Sequence, residues 1–274
     1  GFVVYAILTE QSIGRLFLGG ILPGLLLLLL FIITISLVCW RNPALGPAGP
    51  QSSTSQRMKA LLGAVPVVGI VVLTIGGIYT GLFSPVEASA VGAGSVIIYG
   101  LVVRKLSFSI LWKSATDAVS TTATVILILI AAHMISPFMA LSHIPDAIGE
   151  FVLGFGLPVA GVLLLMLLVY LVLGCFLEGF AMMVLTLPIF FPIVLELGID
   201  PIWFGVLVVL TLEMGLISPP VGLNVFIVKS VAPKVPIGQI FQGVLPFWVA
   251  MIFCLLILVA FPQIVLILPN TMFG

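Results

Sequence analysis

The stretch GLISPPVGLN (Gly215 to Asn224) interrupts an apolar run with residues that expose backbone oxygen. Pro219 and Pro220 have no N–H and cannot continue a helix, so carbonyls upstream of them lose their donors. Ser218 adds a hydroxyl, and Gly215 and Gly222 allow close backbone approach. Non-helical backbone inside lipid must be satisfied by protein, water or an ion. Hard oxygen ligands of this kind suit sodium. A simple proline kink is the competing reading, weakened by a paired break at GCFLEGF (Gly174 to Phe180). Two such tips meeting at mid-membrane make a site.

Acids inside a membrane are costly, at about 2.5–3.5 kcal/mol for Asp at a helix centre on insertion scales, and so are functional candidates. Glu178 at the first break, Glu213 just before the second and Glu87 in TGLFSPVEASA qualify. Glu87 also has a structural reading, because it follows Ser84 and Pro85 in the manner of a capping box. Glu178 can instead be a tip residue wetted by an open cavity, and Glu213 the partner of a neighbouring helix. Either of these two can in principle carry a proton in place of sodium.

His133 and His143 stand alone, and Cys39, Cys175 and Cys254 lack metal-ligand spacing and read as small buried hydrophobes. No HExxH, Gly-x-Ser-x-Gly or Walker A pattern occurs. The chain therefore reads as no enzyme and calls for no cofactor. Its energy must come from an ion gradient or a partner.

The elements that must hold these residues are membrane helices. Of 274 residues, 62% are hydrophobic and 7% charged, with a mean hydropathy of +1.43, far from the roughly 25% charged residues of soluble domains. Nine Lys/Arg against nine Asp/Glu, thinly spread, leave no basic stripe for nucleic acid. At about 20 apolar residues per span, helices are expected at 21–40, 60–80, 85–103 and 114–136. The Pro/Gly/Ser-rich stretch 41–57 is an aqueous loop. Beyond Pro137 comes a short amphipathic piece with Asp146 and Glu150. Apolar runs then follow at 157–173, 181–195 and 203–214, the last resuming past its break to about 232, before a final helix at 243–268. The chain begins at Gly1 inside an apolar run with no basic leader or cleavage site, which reads as a fragment with an upstream part rather than a signal peptide.

Positive loops face the cytoplasm. Placing Arg41, Arg57 and Lys59 inside puts Arg104, Lys105, Lys113, Lys229 and Lys234 inside as well, with Arg15 the exception. Charge does not distinguish two full spans over 157–195 from a re-entrant hairpin. Length favours the hairpin, since each run is short for spanning and they meet at a Gly-flanked polar tip.

GFVVY at Gly1 matches GLNVF at Gly222, and IGRLFLGGILP (Ile13 to Pro23) echoes IGQIFQGVLP (Ile237 to Pro246). On the charge-derived topology the two units run in opposite directions. An inverted repeat lets a secondary transporter expose one central site to either face.

These pieces resemble the large membrane subunit of TRAP transporters, the tripartite ATP-independent periplasmic family that takes up organic acids, of DctM type. The resemblance is carried by TEQSIGRLFLGGILPG (Thr9 to Gly24), GGIYTGLFSPVEASAV (Gly76 to Val91), GCFLEG, LPIFFPI (Leu187 to Ile193), GIDPIWFG (Gly198 to Gly205) and GLISPPVGLNVF (Gly215 to Phe226). It implies an all-α polytopic membrane protein, an inverted-repeat elevator with a re-entrant hairpin and an interrupted helix. The implied setting is the bacterial inner membrane, with sodium as coupling ion. The implied partners are a small four-helix membrane subunit, a periplasmic substrate-binding protein and a carboxylate or sialic-acid-like substrate.

By position, Gly174, Glu178 and Gly179 with Ile217, Ser218, Pro219 and Gly222 would form the second sodium site, with Ser218 where the family commonly has Thr. Glu213 and Asn224 are candidates for the substrate pocket, and Thr80, Pro85 and Glu87 belong to a structural motif. The implied segments are 1–20, the end of a first interrupted helix and its arm; 21–156, scaffold and connecting helices; 157–232, hairpin and interrupted helix of the transport domain; and 233–274, arm and final helix. The rival readings are a sodium-coupled dicarboxylate carrier of related architecture that needs no binding protein, and a membrane anchor without transport.

Overall fold

The computed structural model describes residues 1–47, 49, 53–154 and 156–273, and every element among them is helical. In chain order these are α1 (Phe2–Thr9), α2 (Ile13–Arg41), a 3-10 turn (Pro43–Leu45), α3 (Thr54–Tyr79), α4 (Pro85–Val102), α5 (Phe108–Ser142) and α6 (Ile144–Leu153). They continue with α7 (Val159–Gly174), α8 (Gly179–Glu196), α9 (Pro201–Ile217), α10 (Leu223–Val231), α11 (Ile237–Ala260) and α12 (Gln263–Phe273). Six of them, α2 to α5, α8 and α11, are long and apolar enough to cross a membrane, so the chain is a multi-pass membrane protein. The breaks expected at 174–180 and 215–224 are present, narrowed to 175–178 and 218–222.

Several boundaries differ from the sequence reading: α2, α3 and α5 begin earlier than expected, at Ile13, Thr54 and Phe108. α5 runs through Pro137 to Ser142, because one lost hydrogen bond is tolerated in a membrane helix. α8 has 18 residues, longer than its apolar run, since the Glu178 cap starts the helix at Gly179, two residues earlier. The single final helix of 243–268 is in fact α11 and α12, separated at Phe261 and Pro262. Pro262 offers no N–H to the Leu258 carbonyl, and that carbonyl instead accepts from Trp203 Nε1 at 2.9 Å. Of the expected loop at 41–57, residues 48 and 50–52 lie outside the described residues, as does the Asp146 side chain within α6.

Packing divides the chain into one unit of residues 1–37 and 125–273 and another of 38–124. α2 as far as Leu37, α11 and α12 share a unit with the hairpin. In that unit α9 is central, packing against α1, α7, α8, α10, α11 and α12. Its buried residues include Phe204, Leu207, Val208, Leu212 and Met214. Asp200 starts it, its Oδ1 accepting from the N–H groups of Ile202 at 2.8 Å and Trp203 at 3.1 Å, with Pro201 as first helical residue. Tyr5 of α1 is wholly buried and donates its hydroxyl hydrogen to the Pro201 carbonyl at 2.7 Å. The two arms expected to repeat, α1–α2 and α10–α11, each consist of a short helix, a turn and a long helix containing a proline, Pro23 or Pro246.

In the other unit α3 packs on α4, and most side chains are exposed, as befits helices facing lipid or other proteins. Glu87 has the structural role the sequence allowed. Its carboxylate accepts from Ser84 N and Ser84 Oγ, both at 2.8 Å, while Ser84 Oγ accepts from Glu87 N at 3.3 Å and Pro85 opens the helix. Thr80 ends α3 by donating to the Gly76 carbonyl at 2.9 Å. Replacing Ser84 by Ala is expected to lower the apparent melting temperature in detergent by about 2–4 °C, and Ser84→Thr to keep it. Equal melting of the Ala variant would show that this capping box does not hold α4.

Candidate functional site

The second break grows out of the end of α9. Ser218 N donates to the Gly215 carbonyl at 3.0 Å, one residue short of helical register, which releases the Met214 carbonyl. Ser218 Oγ donates to that carbonyl at 2.6 Å. Pro219 and Pro220, joined by a cis peptide, supply no N–H. The Leu216 carbonyl loses its helical donor to Pro220, and where the chain leaves the helix the Ile217 carbonyl too is without a backbone donor among the described residues. Gly222 then begins α10 at φ 60°, ψ 75°, a left-handed conformation natural to glycine. A Cβ there would lie 3.0 Å from the Ser218 carbonyl oxygen and 3.2 Å from the Phe241 ring.

The first break is the turn between α7 and α8. Leu177 N donates to the Leu173 carbonyl at 2.8 Å, which closes the end of α7. One oxygen of Glu178, Oε2, accepts from Phe180 N at 3.0 Å and Ala181 N at 3.2 Å, making it the N-cap of α8. Its other oxygen has no hydrogen-bond partner among the described residues.

The two breaks meet through glycine. A Cβ built on Gly215 would lie 2.7 Å from Gly174 C and Cα, and one on Gly174 would lie 3.1 Å from Gly215 Cα. Here the α7 and α9 backbones touch. Cys175, the first residue of the turn, is buried beside the Ser218 hydroxyl, and Gly179 faces Leu212 of α9 at 3.8 Å. Gly174, Gly179, Ile217, Ser218, Pro219 and Gly222 thus belong to one constellation on α7, α8, α9 and α10. Ser218 is its buried hydroxyl, 2% exposed.

Glu213 opens on a cavity of about 150 Å³ between α1, α2 and α9, otherwise lined by apolar side chains, prolines and glycines such as Phe2, Pro23, Leu27 and Val209. That is below the roughly 300–1,000 Å³ of typical small-molecule pockets. Asn224 is half-buried in the first turn of α10. Thr80, Pro85 and Glu87 belong to the other packing unit. Among the described residues no three His, Cys, Asp or Glu side chains cluster as a metal site. Cys175 and Cys254 are buried as expected, whereas Cys39 is half-buried. Trp248 of α11 went unnoticed in the sequence, yet its Nε1–H donates to Ser218 Oγ at 2.6 Å.

The sequence pattern that defines the DctM component of the tripartite ATP-independent periplasmic transporter matches residues 1–264. The chain belongs to this TRAP transporter family. It is 36% identical over 271 residues to the C4-dicarboxylate TRAP transporter large permease protein of Pseudomonas aeruginosa, covering 98% of this chain and 62% of that protein. The sialic acid TRAP large permease of Vibrio cholerae is 32% identical, with 99% of this chain and 63% of the relative covered. The ectoine TRAP large permease of Halomonas elongata is 31% identical, with 100% and 64% covered. The chain therefore spans a little under two thirds of these TRAP permeases. Their names are those of transporter permeases, not enzymes.

Proposed function

We propose that this chain carries the second ion site of a sodium-coupled, binding-protein-dependent large permease, a secondary transporter that imports small organic acids across the bacterial inner membrane by an elevator motion. The observation that supports this reading most is the meeting of two helix breaks at Gly174 and Gly215, beside freed carbonyls and a buried serine hydroxyl. Oxygen donors on unwound backbone are suited to a hard monovalent cation, and broken helices at a repeat interface are where coupled transporters bind.

The mobile part in this reading is the hairpin α7–α8 with α9 and α10. The partners are a small four-helix membrane subunit and a periplasmic protein that delivers the substrate. The substrates in the relatives' names differ, in keeping with selection by the delivering protein more than by the permease.

The test is uptake into proteoliposomes by the full-length permease with both partners, using a panel of carboxylates and sialic acid with and without a sodium gradient. Uptake is expected to require both sodium and the binding protein. Sodium-driven uptake that ignores the binding protein would assign a stand-alone dicarboxylate-type carrier, and uptake driven by a proton gradient alone would remove sodium from the mechanism.

A further inference from the structure

Trp248 stands on α11, 30 residues from Ser218, and reaches its hydroxyl from outside the break. A hydroxyl has one hydrogen and two lone pairs. In Ser218 the hydrogen is held by the Met214 carbonyl and one lone pair by the indole N–H, each at 2.6 Å; the Cys175 thiol beside it gives its own hydrogen to the Leu171 carbonyl, so a single lone pair remains and its direction is set. Serine cannot set that direction alone, because it lacks the second heavy atom on Cβ that stiffens χ1 in threonine. The indole is partly buried and packs against the hydrophobic core. Its chain neighbour Phe247 meets Phe31 of α2 edge to face, with ring centroids 5.4 Å apart, which anchors this part of α11.

We propose that Trp248 is a positioning residue for the ion site: its N–H orients the Ser218 hydroxyl so that the remaining lone pair is presented to the cation, a task the β-branch of threonine would otherwise perform. This rests on the sodium reading above. It extends the site beyond the two breaks to α11, and it makes the identity of residue 248 matter only while residue 218 is serine.

The experiment uses the full-length permease with its partners in proteoliposomes and reads the sodium concentration for half-maximal uptake separately from the maximal rate. Trp248→Phe keeps an aromatic ring and removes the donor. Its half-saturating sodium concentration is expected to rise about three- to tenfold, with the maximal rate at saturating sodium nearly unchanged. Adding Ser218→Thr to Trp248→Phe is expected to recover most of the shift.

Half-saturation in Trp248→Phe equal to that of the unmutated protein would overturn the proposal, as would a shift that Ser218→Thr does not recover. Where Trp248→Phe inserts poorly, sodium titration of tryptophan fluorescence substitutes for it. A change is expected in the unmutated permease and not in Ser218→Ala, and no change in the unmutated protein sinks the idea. Failure of the sodium reading itself is separable, because uptake by the unmutated permease would then be indifferent to sodium before any substitution is made.

Discussion

Replacing Gly215 by alanine is expected to lower the apparent melting temperature by about 5–10 °C. The added carbon would sit 2.7 Å from Gly174 C and Cα and 3.0 Å from its carbonyl oxygen. All three are backbone, so no rotamer change relieves the clash, and α7 must separate from α9. That separation opens the apolar contact between the two helices, where Met166, Leu167, Leu212 and Met214 lie buried. Gly63→Ala and Gly238→Ala supply the controls. A Cβ at either position meets nothing within 4 Å, and alanine is the better helix former by about 0.5–1 kcal/mol. These variants should melt at or slightly above the unmutated temperature. If Gly215→Ala melts with them, the α7–α9 backbone contact does not exist in the protein.

Ser218→Ala is expected to raise the sodium concentration needed for half-maximal uptake by roughly tenfold or more, the scale of one hydrogen-bonding group lost from a charged partner. The hydroxyl is tied on both sides, to the Met214 carbonyl and to the Trp248 N–H. Its removal leaves both groups without that partner and also costs stability. Melting in sodium-free buffer separates the two effects. If stability falls and the sodium response is unchanged, the hydroxyl only fastens the break. If both move, it does that and also binds the cation. Ser218→Thr should retain both functions, since the oxygen is kept and its rotamer becomes stiffer.

Much of the fold is legible because a chain this apolar must consist of spans and breaks, and proline and glycine mark the breaks directly. Ser84, Pro85 and Glu87 could be read as a cap because a capping box is a local pattern of four residues. Contacts distant in sequence were less accessible. Nothing in the types or spacing of 28 glycines says that Gly174 must touch Gly215, and an indole within the apolar run of α11 looks like any other lipid-facing or core aromatic. Pro262 gave too little signal among strong hydrophobics to divide the last helix, although the carbonyl it strands at Leu258 found Trp203 as its donor. Glu178 was read for its charge at a tip, and its place three residues before Ala181 is what made it a cap.

That cap has an electrostatic consequence. The first turn of a helix, with its unpaired N–H groups and the positive pole of the backbone dipoles, is an inviting seat for an anion. At α8 the chain has filled this seat with its own Glu178 carboxylate. An acid group arriving at the hairpin tip finds that seat already taken.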